Sequence, residues 1–519
     1  MIEHDTLTSF AHDDPHVVGS WTTVQADLGP DRIAIIFENR QMTYRELDET
    51  STSWARAFAG RGLARGDRIA TLTENRPEHV ALLFACAKAG VILFPMNWRL
   101  TNPELERQLT MVEPTYLIAS ESQRARVDGA MIAAVSEVLC LEQLTTLLGD
   151  ERGRELPRVT GEDGLVVMAT SGTTRRPKVV LLTHENFFWT NLSLDLAAPL
   201  SRDDVVLQVM PEFHIGGWNM QPMLAWRNGA TVILERSFEP SRIIQLIETY
   251  RVTTMAGVPT TYIMIGRDEG FDGADMSSLR FAVVGGAAMP HTVTEQWRSK
   301  GVELLLGYGL TEAAPNVLCL STAVDDERHG SVGRPYPYVE VALVDLGTNS
   351  IIIGVGRGEL LVRGPSVFKG YWRDPDSTCQ VFRDGWLRTG DVAQRDGSGY
   401  YTIVGRCKEM YVSGGENVFP IEVESVITSF DDVTNAAVVW IDDELWGEVG
   451  VAFLEVRTGA QFDLNALDRY CRSLLPSYKV PIRFHVIDEI PRSALGKLDK
   501  SSLRAMARHE TNDGGTHVS

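Results

Sequence analysis

The sequence predicts an α/β protein: a large N-terminal domain of mainly parallel sheets flanked by helices, a β-rich subdomain, and a small α+β C-terminal domain. Three observations carry this. The chain has 519 residues, more than one hydrophobic core normally serves. Short apolar runs with strand character alternate with helical patterns as far as Val302–Leu306, the signature of a largely parallel sheet covered on both faces. Beyond about residue 330 the texture changes, with Gly333, Pro335, Pro337, Gly354, Gly356, Gly358, Gly364 and Pro365 punctuating short strand signals.

The elements follow in order. Thr43-Tyr-Arg-Glu46 has the form of a capping box, and Leu47, Trp54 and Phe58 then recur at helical spacing. Arg68–Leu72 reads as a short strand, Glu78–Ala89 as a helix and Val91–Phe94 as a buried strand. Leu165–Met168, Val205–Val209, Thr231–Leu234, Phe281–Val284 and Val302–Leu306 continue the strand series. From about residue 406 a compact α+β segment begins, in which Pro420 takes a first helical position and opens Ile421–Ile427. The division predicted is 1–405 and 406–519. The tail Ala507–Ser519 is polar.

Composition narrows the function. The formal net charge is −20, which repels nucleic acid and anionic lipid as general partners. An anionic small molecule then needs a local cluster of cations. The six cysteines, Cys86, Cys140, Cys319, Cys379, Cys407 and Cys471, contain no CxxC pair, so reduced thiols are expected rather than a zinc site or disulfide framework. The first residues lack the basic start and apolar run of a signal peptide, and no apolar stretch is long enough to span a membrane. A cytoplasmic protein with no membrane span is the expectation, and a homodimer is compatible with it.

Residues 168–184, MATSGTTRRPKVVLLTH, pose the sharpest chemical question. Thr170, Ser171, Thr173 and Thr174 set four hydroxyls around Gly172, which lets backbone N–H groups approach a ligand, and Lys178, Arg175 and Arg176 add positive charge. A strand precedes the loop, where ligand loops sit in open α/β sheets. It is not a Walker loop, because Pro177 and Val179 occupy the second-glycine and hydroxyl positions. Alone, such a loop reads equally well as a surface turn.

The rest of the chain decides. Tyr308-Gly-Leu-Thr-Glu312, Gly390-Asp391 within DGWLRTGD, Gly405-Arg406 within YYTIVGRCKEMYVSGGENVFPIEVE, and Lys497 within IPRSALGKLDK follow in order from about Thr43 to Asp499. Together with the loop they resemble the AMP-forming acyl-CoA synthetase family. That resemblance implies ATP, Mg²⁺ and coenzyme A, a carboxylic acid substrate, and a small C-terminal domain that moves between two half-reactions about a hinge at Lys408. It implies that Ser171, Thr173, Thr174 and Lys178 grip the β- and γ-phosphates, with Thr170 a shaper of the turn. Thr311 is implied at the α-phosphate and Glu312 at Mg²⁺, a hard cation that takes carboxylate oxygen. Asp391 is implied at the ribose hydroxyls and Arg406 beside it. Gly286, Ala287, Ala288 and Tyr308 are implied around the adenine. Lys497 would bridge the attacking carboxylate and the α-phosphate, lowering the repulsion between two anions.

One departure stands out. The family loop usually reads TSGTTGxPKG, and here Arg175 and Val179 replace glycines. If a replaced glycine sat at positive φ, strain of about 1–2 kcal/mol would follow. Because Glu312, Asp391, Arg406 and Lys497 are all in place, a working loop is expected rather than a decayed one.

For the acid, Pro211–Trp218 resembles the family segment beside the acyl tunnel. His214 takes its aromatic position, and Trp218 coincides with a tunnel-gating tryptophan of some long-chain members. Gly216 and Gly217 are expected to leave space, and Val258, Gly285, Ala313, Ala314 and Val332 to face the acid. The set is apolar, with no carboxylate to meet an ammonium, which favours a medium- or long-chain fatty acid over an amino acid and leaves an aryl acid open. CoA is the expected thiol. An adenylating enzyme with another acceptor, a carrier protein or an amine, differs by its lack of CoA dependence. A non-catalytic nucleotide- or acyl-CoA-binding protein differs by releasing no AMP.

Overall fold

Local sequence rules are obeyed where the predicted elements begin. The Thr43 hydroxyl accepts the Glu46 N–H at 3.2 Å and the Glu46 carboxylate accepts the Thr43 N–H at 2.7 Å, opening the helix Tyr44–Gly60, which buries Leu47, Trp54 and Phe58. Pro77 and Pro420 start the helices Pro77–Ala89 and Pro420–Thr428 without losing a needed N–H. The computed structural model describes residues 14–148, 155–170, 177–320, 330–457, 459, 462–492 and 498–512.

By compactness the chain divides into two units. The first comprises Met1–Val341 and Val362–Leu387, and the second Ala342–Leu361 and Arg388–Ser519. Position 405/406, read from the sequence as the domain boundary, lies within the second unit, where the strand Tyr401–Arg406 pairs antiparallel with Asp391–Arg395. Compactness and a rotation point are different properties, so the hinge at Lys408 stands as a proposal.

The first unit holds two large sheets. One runs in the order Glu137–Cys140, Tyr116–Ala119, Arg68–Leu72, Ile92–Pro95, Gly164–Thr170 and Lys178–Thr183, parallel except for its last pair. The other contains the parallel series Leu304–Gly309, Phe281–Val284, Thr254–Gly257, Val205–Gln208, Thr231–Leu234 and Ile33–Phe37, with antiparallel strands at both edges. Its core packs Leu207, Ile233, Ile247, Met255 and Ala282 against the fully buried rings of Tyr262 and Trp297. The predicted strand at Val302–Leu306 starts two residues later and continues to Gly309. Gly307 and Gly309 hide that extension from an apolar pattern, but the returning strand Asn316–Cys319 pairs with it.

The second unit carries strand pairs of an antiparallel sheet and an α+β layer. In that layer Val433–Asp443 and Gly447–Val456 form a long hairpin, with Arg483–Val486 parallel to its second strand. The helices Pro420–Thr428 and Leu464–Leu474 bury Val423, Ile427, Leu467 and Cys471 in the same cluster. Among the described residues no helix is long and apolar enough to cross a membrane. All six cysteines are free thiols.

Candidate active site

In a parallel sheet every strand ends at the same edge, and ligands bind in the loops beyond it. Four consecutive strands of the second large sheet deliver the predicted residues there. Val205–Gln208 leads to His214 and Trp218, Thr254–Gly257 to Val258, Phe281–Val284 to Gly285–Ala288, and Leu304–Gly309 carries Tyr308 and leads to Thr311–Ala313. His214, Gly286, Ala287, Ala288 and Val258 are solvent-facing, and Val258 is 40% exposed in a unit whose other valines mostly fill the core. Tyr308, Thr311 and Glu312 are half-buried, and Val332 is likewise half-buried. The Asn219 amide donates to Ala314 O at 3.0 Å and the Asn316 amide to Asn219 O at 3.1 Å, tying the segment after His214 to the turn that holds Glu312.

The hairpin Gly164–Thr170 and Lys178–Thr183 flanks the hydroxyl-rich segment of the sequence; in it Thr170 faces Lys178 and donates its hydroxyl to Lys178 O at 3.2 Å. Ser171, Gly172, Thr173, Thr174, Arg175 and Arg176 lie outside the described residues, as does Lys497. Val179 stands in the strand Lys178–Thr183. It is an ordinary strand residue paired with Ala169, 2% exposed and packed in the apolar cluster of that sheet. It is not among the positive-φ residues, so no strain arises from the missing glycine.

Two residues of this site carried no sequence signal. Tyr371, on the segment Gly370–Trp372, donates its hydroxyl to Glu312 Oε1 at 2.9 Å, and its ring lies 4.4 Å from Lys178 Nζ. Burial first, and the negative Glu312 second, push the Tyr371 phenol well above its ordinary range, so it remains a donor. Met220 is the other. A Cβ built on Gly285 would lie 3.2 Å from Met220 Cε, and one on Gly216 3.2 Å from Met220 Sδ and 3.6 Å from Met210 Sδ. A single tyrosine and a single methionine in a loop have no period or spacing that marks them.

The acyl segment departs from expectation in two places. Gly217 leaves no space, because a Cβ there would sit 2.3 Å from Pro211 O; it is a close approach of two backbones, and the room beside Gly216 is filled by methionine. Trp218 lies in the core, 0% exposed, with its indole N–H bonded to Glu212 O at 2.5 Å and its edge against the His79 ring. Beneath it His79 Nδ1 and Glu212 Oε2 lie 2.6 Å apart, and burial raises the Glu212 pKa although His79 opposes the rise. Ala313 and Ala314 are fully buried.

In the second unit Asp391 and Arg406 face each other across the antiparallel pair, with Arg406 Nε 3.0 Å from Asp391 Oδ1. Asp391 is 7% exposed, and its N–H donates to the Thr389 hydroxyl at 3.0 Å. Lys408 is exposed in the turn after Arg406. No cluster of three metal-ligating side chains occurs among the described residues. Glu312, a half-buried carboxylate with one oxygen held by Tyr371, suits Mg²⁺, which keeps waters and phosphate oxygens and needs only one or two protein carboxylates.

The profile of the AMP-binding enzyme family matches residues 22–372, and that of the AMP-binding enzyme C-terminal domain matches residues 422–497. A feruloyl-CoA synthase of Amycolatopsis sp. is 36% identical over 487 residues, covering 94% of this chain and 98% of its own. The long-chain-fatty-acid–CoA ligase FadD13 of Mycobacterium tuberculosis is 32% identical over 473 residues, covering 89% and 93%. The structure of O-succinylbenzoate coenzyme A synthetase (MenE) from Bacillus subtilis in complex with ATP and magnesium ion is 29% identical, with a TM-score of 0.83 over 93% of this chain and 99% of that one.

Proposed function

The chain belongs to the AMP-binding enzyme family and is an AMP-forming acid–CoA ligase, and from that premise we propose which acid it takes and which residues carry the reaction. The acid is an apolar monocarboxylic acid, aromatic in the first instance. The observation that carries the site is the convergence of four adjacent strand ends on one edge, with Lys178 and Glu312 gathered around Tyr371.

In the first half-reaction a carboxylate oxygen attacks the α-phosphorus of ATP, the bond to the β-phosphate breaks, and pyrophosphate leaves. Lys178 and the hydroxyls of Ser171, Thr173 and Thr174 hold the β- and γ-phosphates, and Thr311 donates to the α-phosphate. Glu312 would hold Mg²⁺, which would supply neutralising charge on the phosphate oxygens. Gly286, Ala287, Ala288 and Tyr308 flank the adenine, small residues letting a flat base lie against backbone. Asp391 accepts from the ribose hydroxyls, with Arg406 paired beside it. Lys497 places a cation between the two reacting anions. In the second half-reaction the CoA thiol attacks the adenylate carbonyl and AMP leaves. Lys408 is the hinge about which the C-terminal part turns between the two steps.

The acid sits against His214, Val258, Gly285, Met210 and Met220; Ala313 and Ala314, expected to face it, are closed off in the core. These residues offer apolar surface and no cation, which disfavours a second carboxylate on the substrate. Trp218 lies in the core rather than at a tunnel mouth, which weighs against a long alkyl chain, and similarity to a feruloyl-CoA synthase weighs toward an aromatic acid. A medium- or long-chain fatty acid is the second reading, supported by two flexible thioethers beside Gly285 and Gly216 that can repack around a chain.

One mass-spectrometric assay tests this. The protein is mixed with Mg-ATP, CoA and a panel of aryl, arylalkyl and fatty acids, and AMP, acyl-adenylate and acyl-CoA are read together. Thioester and AMP are expected, with kcat/KM at least tenfold higher for an aromatic acid. A preference for fatty acids reverses the substrate order, and adenylate without thioester rejects CoA as acceptor.

A further inference from the structure

Tyr371 is held from every side. Its N–H donates to the Thr378 hydroxyl at 2.9 Å, its backbone bridges Val180, and the next residue, Trp372, donates its N–H to Val179 O at 2.7 Å. The Phe368 ring stands edge-on at 5.0 Å, while the Phe368 N–H donates to Glu312 O at 2.8 Å. The direction of the Tyr371 hydroxyl is therefore set by backbone and packing before any ligand arrives. That hydroxyl takes Oε1 of Glu312 and leaves Oε2 for another partner. The ring face takes Lys178 Nζ, a cation–π contact, and no ion pair joins Lys178 to Glu312.

We propose that Tyr371 is a positioning residue that fixes the metal-binding carboxylate of Glu312 and keeps Lys178 apart from it, so that both charges stay available to the metal–ATP complex. Two opposite charges left to themselves at one site would neutralise each other and would have to separate when the phosphates bind. A neutral aromatic between them, hydrogen-bonded to one and stacked under the other, removes that reorganisation. Val179 belongs to the same device. The main-chain bond from Trp372 N–H to Val179 O would form with any residue there, but as valine the side chain also fills the cluster on which Trp372 packs, so the departure from glycine adds packing under the segment that presents Tyr371.

This rests on Glu312 as the Mg²⁺ ligand, and the test separates the two. Binding of ATP to the full-length protein is titrated calorimetrically without metal and with Mg²⁺, and Mn²⁺ uptake with ATP is followed by electron paramagnetic resonance. The wild type is compared with Tyr371→Phe, Val179→Gly and Glu312→Gln. Tyr371→Phe keeps the ring and loses the donor. It should weaken metal–ATP binding about tenfold, the low end for loss of a partner that orients a metal ligand, while metal-free ATP affinity stays within about twofold of the wild type. Val179→Gly should move the same reading in the same direction by less. Glu312→Gln should abolish the gain from metal. If Glu312→Gln loses that gain and Tyr371→Phe keeps it, Tyr371 has no positioning role. Equal losses with and without metal in Tyr371→Phe overturn the proposal too, because they report general damage. If Glu312→Gln keeps the gain, the assignment of Glu312 itself is wrong.

Discussion

His184 follows directly on the strand Lys178–Thr183, at the start of the helix His184–Ala197, and it is 0% exposed. Its Nδ1 accepts the Val18 N–H at 3.1 Å, which requires a neutral ring, and burial lowers its pKa to about 4 although Asp163 and Asp14 pull the other way. The sign follows from linkage. Between pH 6.5 and 4 the unfolded chain binds a proton that the folded one refuses, so the group stabilises the fold above 6.5 and that contribution is lost as pH falls. At 1.36 kcal/mol per tenfold the full loss is about 3 kcal/mol, of which about 2 kcal/mol falls between pH 7 and 5. The perturbation is His184→Asn, which keeps an acceptor for Val18 and cannot titrate. Urea unfolding of wild type and variant at pH 7 and pH 5, followed by tryptophan fluorescence, gives four stabilities. The variant is expected to be less stable than the wild type at pH 7, and its acid destabilisation should be shallower by about 2 kcal/mol. Identical slopes in the two proteins would refute the reasoning, since His184 would then take up its proton equally in both states.

Three further outcomes follow from the site. Lys497→Ala should abolish adenylate formation and spare thioester formation from supplied acyl-adenylate; survival of both half-reactions removes Lys497 from its role. Gly217→Ala forces a methyl to 2.3 Å from Pro211 O, so it should cost about 1–3 kcal/mol and raise KM for the acid more than for ATP, as thermal unfolding and steady-state kinetics would report. Arg175→Gly should change KM for ATP less than tenfold, about 1.4 kcal/mol; a larger loss would mean that the arginine has taken over phosphate binding.

The sequence by itself determined the class of fold, the family and the order of the chemical motifs. These are local properties. A capping box needs Thr43 and Glu46 three residues apart, a parallel strand needs a short apolar run, and YGLTE312 keeps its residue types adjacent in the chain. The same locality allowed Lys178, Glu312, Asp391 and Arg406 to be named before any coordinate. It failed where a residue's meaning comes from what lies across space. Gly217 reads as free room in a sequence and proves to be two backbones in contact. Trp218 reads as a gate and proves to be core, because the Glu212 carbonyl and the His79 ring claim it. Val179 reads as a strained replacement and proves to be an unstrained strand residue. Tyr371 has no motif at all, yet 59 residues separate it from the carboxylate it holds. Only the tertiary structure could decide these four, because a hydrogen bond or a steric contact is fixed by distance in space, and the chain records only distance along itself.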